Sequence, residues 1–209
     1  MKGIDVSENN GKVDWDAVKE AGVEFAIVRS SYGLESEDEM FLENVNEAHE
    51  RGIKVGAYHY SYALNELEAK QEADNCRDII ERAGVLLELP VFFDMEDADG
   101  YKARNGFAFD PEEITAMCKA FKDHVKLHCG VYASESWFDD YIDWKSLGCS
   151  VWNAAWCSPT AHFFEDANGD IDGIQGYAWQ FTEGLYIAGA YFDGNIIYDN
   201  VDKAGQDGY

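Results

Sequence analysis

Basic residues are scarce in this sequence. It has 16 lysines and arginines against 41 aspartates and glutamates, which gives a formal net charge of −25 at pH 7. A surface so strongly negative repels phosphate backbones and anionic lipid headgroups. We therefore expect neither nucleic acid nor a membrane surface as a partner.

Long apolar runs and paired-cysteine motifs are also missing. No apolar run reaches the roughly 18 residues of a transmembrane helix, and residues 1–5, MKGID, form no apolar targeting segment. The five cysteines, an odd number, include no Cys-x-x-Cys pair, so we expect neither structural zinc nor a full disulfide framework. Buried reduced thiols are favoured, and a Cys149–Cys157 or a Cys118–Cys129 bridge stays open at this stage.

Several catalytic and metal-binding signatures are absent too. The sequence contains no Gly-x-Ser-x-Gly nucleophile motif and no phosphate-binding glycine loop. No second histidine is suitably spaced from His59 for a zinc site. Residues 166–173, DANGDIDG, resemble the start of a calcium loop, but the twelfth position counted from Asn168 is Trp179 rather than glutamate. We expect a solvated acidic turn there, and neither a metal nor a cofactor.

The composition indicates one folded domain that spans residues 1–209. Hydrophobic residues make up 46% of the sequence and aromatic residues 14%, which is enough for a large single core. No internal repeat, low-complexity segment or linker divides the chain.

Apolar segments with strand character alternate with amphipathic segments. Strands are predicted at 3–7, 25–30, 54–62, 90–96, 129–134, 150–156, 177–182 and 191–198, helices at about 15–21, 37–51, 66–83, 111–127 and 135–141, and a loop at 97–109. Such alternation indicates a parallel α/β barrel. Only about eight residues separate the last two strands, too few for a parallel crossover. We therefore predict an irregular (β/α) barrel of about eight strands, with few helices towards the C-terminus and an antiparallel last strand.

The apolar strand at 90–96 ends in a pair of carboxylates. Asp94 and Glu96 are two positions apart, so both point to the same side of an extended strand. Like charges at the end of a buried strand raise at least one pKa. Paired carboxyl groups of unequal pKa are what acid-catalysed glycoside hydrolysis requires. The alternative is a strand that runs out into a solvated acidic loop.

Further candidates gather at the same end of the predicted barrel, because active sites of such barrels lie at the C-terminal ends of the strands. Asp5 comes from the first strand, and Asp193 lies near the start of the reversed last strand. The candidates for substrate binding are His59, Tyr60, Tyr62, Tyr132, Trp156 and Gln180. The aromatic members could form sugar platforms or equally fill the core.

Several segments, in order along nearly the whole chain, resemble glycoside hydrolase family 25, the Chalaropsis-type lysozymes. The matching segments are GIDVS at 3–7, GAYHY at 56–60, FDME at 93–96, WNAAW at 152–156, WQF at 179–181 and FDGN at 192–195. The last segment has glycine where the family's closing Asp-Leu-Asn has leucine.

The resemblance implies hydrolysis of the β-1,4 bond from N-acetylmuramic acid to N-acetylglucosamine in peptidoglycan, with retention. It makes Glu96 the general acid, and Asp94 either the nucleophile or the stabiliser of an intermediate formed by the substrate's 2-acetamido group. Asp5 and Asp193 would shape the field and bind the sugar. It also implies action outside the cell or at the cell wall, by a bacterial enzyme or by a phage endolysin released on lysis. We expect a monomer.

Two other functions stay open. A chitinase-like glycosidase or a glucosaminidase could use the same Asp-x-Glu strand, although the longer acidic motif of chitinases would place aspartates where this sequence has Val91 and Phe92. A non-catalytic sugar-binding barrel is the third reading, and the intact carboxylate pair argues against it.

Overall fold

Eight strands close into a barrel in the computed structural model, which describes residues 1–167 and 176–198. A short ninth strand lies beside the barrel. The strands are β1 (Lys2–Val6), β2 (Phe25–Tyr32), β3 (Ser36–Glu37), β4 (Lys54–Tyr60), β5 (Val91–Asp94), β6 (Cys129–Ser134), β7 (Ser150–Ala154), β8 (Ala178–Ile187) and β9 (Ala190–Ile197). Around the barrel they follow the order β1-β2-β4-β5-β6-β7-β8-β9, and β3 extends the edge of β2.

The strands run parallel except at the closing seam. β1, β2, β4, β5, β6, β7 and β8 pair with one another in parallel. β9 is antiparallel to both of its neighbours, β8 and β1. The predicted irregular barrel with a reversed last strand is therefore confirmed.

Helices surround the first part of the barrel. They are α1 (Trp15–Glu20), α2 (Phe41–Glu50), α3 (Glu66–Ala83), α4 (Tyr101–Arg104), α5 (Pro111–Val125), α6 (Glu135–Asp140) and α7 (Trp144–Leu147). The Asn65 and Asp110 side chains accept hydrogen bonds at the starts of α3 and α5, as their helix-capping character favours. Within the described residues that follow β7, only a 3₁₀ turn at Phe164–Asp166 is helical.

Several segments differ from their predictions. α7 lies where no helix was predicted, and β8 continues to Ile187 instead of ending at residue 182. The helix expected from residue 37 begins only at Phe41, because residues 36 and 37 pair with β2. The segment expected to be a loop, 97–109, contains α4. No helix of the described residues is long and apolar enough to cross a membrane.

Alternating side chains build two apolar layers. The outer layer lies between sheet and helices, where the rings of Phe93 and Phe121 stack with centroids 4.2 Å apart. The inner layer fills the barrel with aromatic residues such as Phe25, Phe92 and Trp152. Among the described residues the barrel interior is therefore a packed core. All five cysteines are free thiols.

Candidate active site

The carboxylate pair lies at the C-terminal mouth of the barrel. Asp94 is the last residue of β5, and Glu96 follows two positions later. Met95, between them, is fully buried in the outer layer, so the alternation of side chains turns both carboxyl groups towards the mouth. Asp94 is only 5% exposed, and its Oδ1 has no hydrogen-bond partner among the described residues. Buried polar atoms nearly always have a hydrogen-bond partner, so a carboxylate oxygen without one marks this position as a candidate functional site.

The pair has the electrostatics of an acid catalyst. Burial raises the pKa of Glu96 to about 7; Lys102 opposes this rise, and Asp193 and Asp99 add to it. Burial also raises the pKa of Asp94 well above its ordinary value, and the neighbouring Glu96 adds to that shift. Glu96 can therefore carry a proton close to neutral pH.

Two further carboxyl groups come from the closing seam. Asp5 on β1 lies directly opposite Asp193 on β9. Asp5 Oδ2 accepts hydrogen bonds from Gln180 Nε2 at 3.0 Å and from Asn195 Nδ2 at 2.7 Å. Burial raises the pKa of Asp5 well above its usual range, and Asp193 adds to the effect. Burial raises the pKa of Asp193 to about 6. The mouth therefore holds four acids that burial makes reluctant to ionise.

A buried network fixes the orientation of Asp5. Gln180 Oε1 accepts hydrogen bonds from Tyr132 Oη at 3.0 Å and from Trp156 Nε1 at 3.3 Å. These two donors turn the amide nitrogen of Gln180 towards Asp5. Tyr132 and Gln180, predicted as substrate-binding residues, are thus largely buried supports of Asp5, whereas Trp156 is 55% exposed at the mouth.

Aromatic rings line the β4 side of the mouth. The ring centroid of Tyr62 lies 5.2 Å from that of Tyr60 and 4.7 Å from that of Tyr101. The Tyr62 hydroxyl donates a hydrogen bond to Asp99 Oδ2 at 3.1 Å. Tyr60 and Tyr62 therefore lie where the sequence predicts them, and Tyr101, which sequence reasoning missed, joins them from α4.

His59 lies elsewhere. Its side chain is fully buried on the helix side of β4, with ring centroids 6.3 Å from Phe93 and 5.5 Å from Phe121. Its Nδ1 lies 2.8 Å from Ser31 Oγ, and its Nε2 lies 3.5 Å from Glu72 Oε2. The prediction that His59 binds substrate is wrong, because its two neighbours on the strand face the interior and it must face the other way.

Glu72, which lies beside His59 on the helix side of β4, supports the barrel mouth. Glu72, on α3, accepts a hydrogen bond from Ser61 Oγ at 2.8 Å and another from the Tyr62 main-chain N–H at 2.7 Å. Both donors lie just past the end of β4. Glu72 therefore holds the segment that carries the Tyr62 ring.

Lys102 is the second residue that sequence reasoning missed. It is 1% exposed, and its Nζ donates hydrogen bonds to the main-chain carbonyls of Ser61 and Glu96, the latter at 2.9 Å. The Lys102 main-chain N–H donates to Asp97 Oδ1 at 2.6 Å. A single buried ammonium thus ties the ends of β4 and β5 together behind the carboxylate pair. In the sequence it is one of two basic residues in a predicted loop that also holds two aspartates, which gives no signal of burial.

Asn195 is the third residue that sequence reasoning missed. Besides its bond to Asp5, its Oδ1 accepts a hydrogen bond from Trp152 Nε1 at 2.8 Å. The sequence did carry a signal for Asn195, since it is two positions from Asp193 on the same strand and must share its face.

In the part of the chain that the structure describes, no group of three or more His, Cys, Asp or Glu side chains could hold a metal ion. Most of the segment weighed as a calcium loop, residues 168–173, lies outside that part.

A mostly parallel barrel whose C-terminal mouth holds a buried carboxylate beside a carboxyl group of pKa near 7 has the fold and the site of a glycoside hydrolase. The model of the family "Glycosyl hydrolases family 25" matches residues 4–190, and the chain belongs to this family. This confirms the resemblance found in the sequence.

Known proteins of similar sequence and structure support this family assignment. The chain is 27% identical over 202 residues to the autolytic lysozyme of Clostridium acetobutylicum, covering 90% of this chain and 58% of that protein. It superimposes on the modular autolysin LytC of Streptococcus pneumoniae with a TM-score of 0.79 at 25% identity, covering 94% of this chain and 46% of LytC. It superimposes on the CTP1L endolysin with a TM-score of 0.76 at 27% identity, covering 95% of this chain and 67% of the endolysin. The chain thus spans about half the length of the first two relatives.

Proposed function

We propose that this chain is a muramidase that hydrolyses the β-1,4 bond between N-acetylmuramic acid and N-acetylglucosamine in bacterial peptidoglycan. One observation carries the proposal: Glu96, with its pKa raised to about 7, stands beside a buried Asp94 whose Oδ1 has no partner among the described residues. Family membership supports it, as do the relatives, one named an autolytic lysozyme and another solved with a synthetic peptidoglycan ligand.

In the proposed reaction Glu96 donates its proton to the glycosidic oxygen as the bond to the leaving sugar breaks. Positive charge then develops on the anomeric carbon and the ring oxygen. This positive charge favours ionisation of Asp94, Asp5 and Asp193, and in a buried site its attraction to their carboxylates is stronger than in water. Glu96, now a carboxylate, removes a proton from the water that completes the hydrolysis.

Asp94 serves the anomeric centre in one of two ways. It attacks the carbon to form a glycosyl-enzyme, or it accepts a hydrogen bond from the N–H of the substrate's 2-acetamido group while that group attacks. Both give retention, and both use the unpartnered Oδ1 of Asp94. Trapping separates them, since a covalent adduct on Asp94 identifies the first and tight inhibition by a thiazoline analogue identifies the second.

The wider setting follows from the substrate. Peptidoglycan lies outside the cell membrane, so the chain acts extracellularly or in the cell wall, as a bacterial enzyme or as a phage endolysin released by lysis. We propose that residues 1–209 form one catalytic domain and that it works as a monomer with glycan strands as its partner.

Digestion of purified peptidoglycan tests the proposal. The products are reduced with borohydride and identified by mass spectrometry, with Glu96→Gln beside the wild type. We expect new reducing ends on muramic acid, and a loss of turnover on the order of a hundredfold or more in the variant, because the amide cannot donate the proton. Circular dichroism checks that the variant is folded.

Glu81→Gln is the matched control, because it removes an exposed carboxylate from α3 and should leave turnover unchanged. Reducing ends on glucosamine would replace the muramidase with a glucosaminidase. Binding without cleavage by the wild type would make the chain a sugar-binding barrel.

A further inference from the structure

The hairpin formed by β8 and β9 extends beyond the barrel. β8 pairs with β7 only from Ala178 to Gln180. Farther along, Leu185, Tyr186 and Ile187 pair with β9 alone, up to the turn before Ala190. Since β8 runs towards its C-terminal end here, this extension projects from the same end of the barrel as the active site.

One face of the extension is apolar and covered, and the other is aromatic and open. Leu185, Ile187 and Phe192 are buried in the outer layer. Their strand neighbours Tyr186 and Tyr191 are 45% and 61% exposed. These two tyrosines are cross-strand partners, and their ring centroids lie 5.1 Å apart. We call this pair the tyrosine platform.

The tyrosine platform is continuous with the catalytic face. Tyr191 precedes Asp193 by two positions on β9, so both side chains point to the same side of the strand. Phe192, between them, points to the buried side. Two positions along a strand separate the Cα atoms by roughly 6.7 Å. The platform therefore begins one side chain beyond the carboxylate cluster.

The chemistry of the platform suits a sugar ring. Pyranose rings present C–H groups on their faces, and these pack against exposed aromatic rings by dispersion and weak C–H···π contacts. Such contacts carry no net charge, so the overall charge of −25 does not oppose them. The ring of His162, whose centroid lies 6.0 Å from that of Tyr191, supports the platform from the preceding loop.

We propose that the tyrosine platform is a sugar-binding subsite, occupied by a unit of the glycan strand that lies beyond the two sugars joined by the scissile bond. The inference rests on the proposed function and extends it: the enzyme selects long strands over short fragments. Tyr191 is the principal contact because it is the more exposed ring and lies nearer to Asp193.

Chain-length dependence tests this subsite. Kinetics of Tyr191→Ala, Tyr191→Phe and wild type are compared on long, uncrosslinked glycan strands and on the shortest fragment that the wild type cleaves. We expect Tyr191→Ala to raise KM about threefold to tenfold on long strands, with kcat unchanged and no effect on the short fragment. Tyr191→Phe keeps the ring and should match the wild type.

Leu86→Ala is the matched control. Leu86 is 69% exposed but precedes β5, at the opposite end of the barrel. Its loss should therefore leave KM unchanged both on long strands and on the short fragment. Equal KM values for Tyr191→Ala and wild type on long strands would overturn the subsite. Equal increases in the KM of Tyr191→Ala on long and short substrates would also overturn the subsite, because they would mean that Tyr191 has a general structural role.

A binding measurement keeps this test separate from that of the proposed function. Sedimentation with insoluble glycan compares Glu96→Gln with the double variant Glu96→Gln/Tyr191→Ala. Weaker binding by the double variant supports the subsite even if the wild type cleaves nothing, an outcome that would refute only the muramidase. Equal binding refutes the subsite alone.

Discussion

At the scale of single residues, the barrel mouth is an arrangement that opposes folding. Asp5, Asp94, Glu96 and Asp193 all have pKa values raised by burial. Each holds its proton more tightly in the folded chain than in the unfolded chain, so ionising it favours unfolding. Residues shaped for a reaction commonly carry such a penalty in stability. The raised pKa on which the proposed role of Glu96 as an acid depends therefore weakens the fold at alkaline pH.

This gives a prediction for stability against pH. The contribution of Glu96 is complete below its unfolded pKa, about 4.3, and is lost as the pH rises through its folded pKa of about 7. Glu96→Gln, which stays neutral, should be more stable than the wild type at pH 8 by on the order of 3 kcal/mol, and equal to it at pH 4. Thermal unfolding at the two pH values measures the difference. An equal gain in stability at pH 8 and at pH 4 would mean that the protonation of Glu96 is not the cause.

At the scale of elements, strand alternation decides which residues reach the mouth. It brings together Asp94 and Glu96, and it places Asn195 on the face of Asp193. It also sends His59 to the helix side. The sequence predicted that Asp94 and Glu96 share a face because their spacing was considered, and it misplaced His59 because only its late position in the strand was considered.

The remaining site residues depend on long-range packing. Lys102 is buried because α4 folds back under the ends of β4 and β5, and the local sequence, with two aspartates and two basic residues, does not predict this fold-back. Tyr101 reaches the aromatic cluster for the same reason. The barrel itself was predictable, since it follows from the alternation of elements and from one short connection between the last two strands.

Lys102 provides a test at this scale. Its ammonium holds down the pKa of Glu96, so in Lys102→Met that pKa should rise. Activity that requires protonated Glu96 falls as the pH passes about 7 in the wild type. In the variant this basic limb of kcat/KM should move to higher pH.

The pH–rate profile of Lys102→Met distinguishes an electrostatic role from a structural one. The variant should also unfold more easily, by about 1–3 kcal/mol, because the Ser61 and Glu96 carbonyls lose their buried donor. Lower stability with an unmoved basic limb would mean that Lys102 only braces the two strands.

At the scale of the whole molecule, the charge of −25 sets the conditions of encounter. Bacterial walls often carry anionic polymers, so long-range forces push the protein away from its proposed substrate. Binding must then come from short-range contacts within the groove, to which the exposed Trp156 and the tyrosine platform can contribute.

Salt should therefore assist the reaction. Raising NaCl from about 10 mM to about 150 mM shortens the screening length from roughly 30 Å to roughly 8 Å. We expect KM on intact walls to fall over this range, and to change much less on walls stripped of anionic polymers. Initial rates on the two substrates make the comparison. A KM that rises with salt on intact walls would point to an attractive basic patch instead.

The seam of the barrel also bears on when the site comes into being. β1 pairs with β9, so the first strand of the barrel to be synthesised waits for the last strand of the barrel. Asp94 and Glu96 emerge midway through translation, yet Asp5 meets Asn195 and Asp193 only after β9 has cleared the exit tunnel. A nascent chain thus holds only part of the proposed active site, and the site is complete only when the whole barrel has been synthesised.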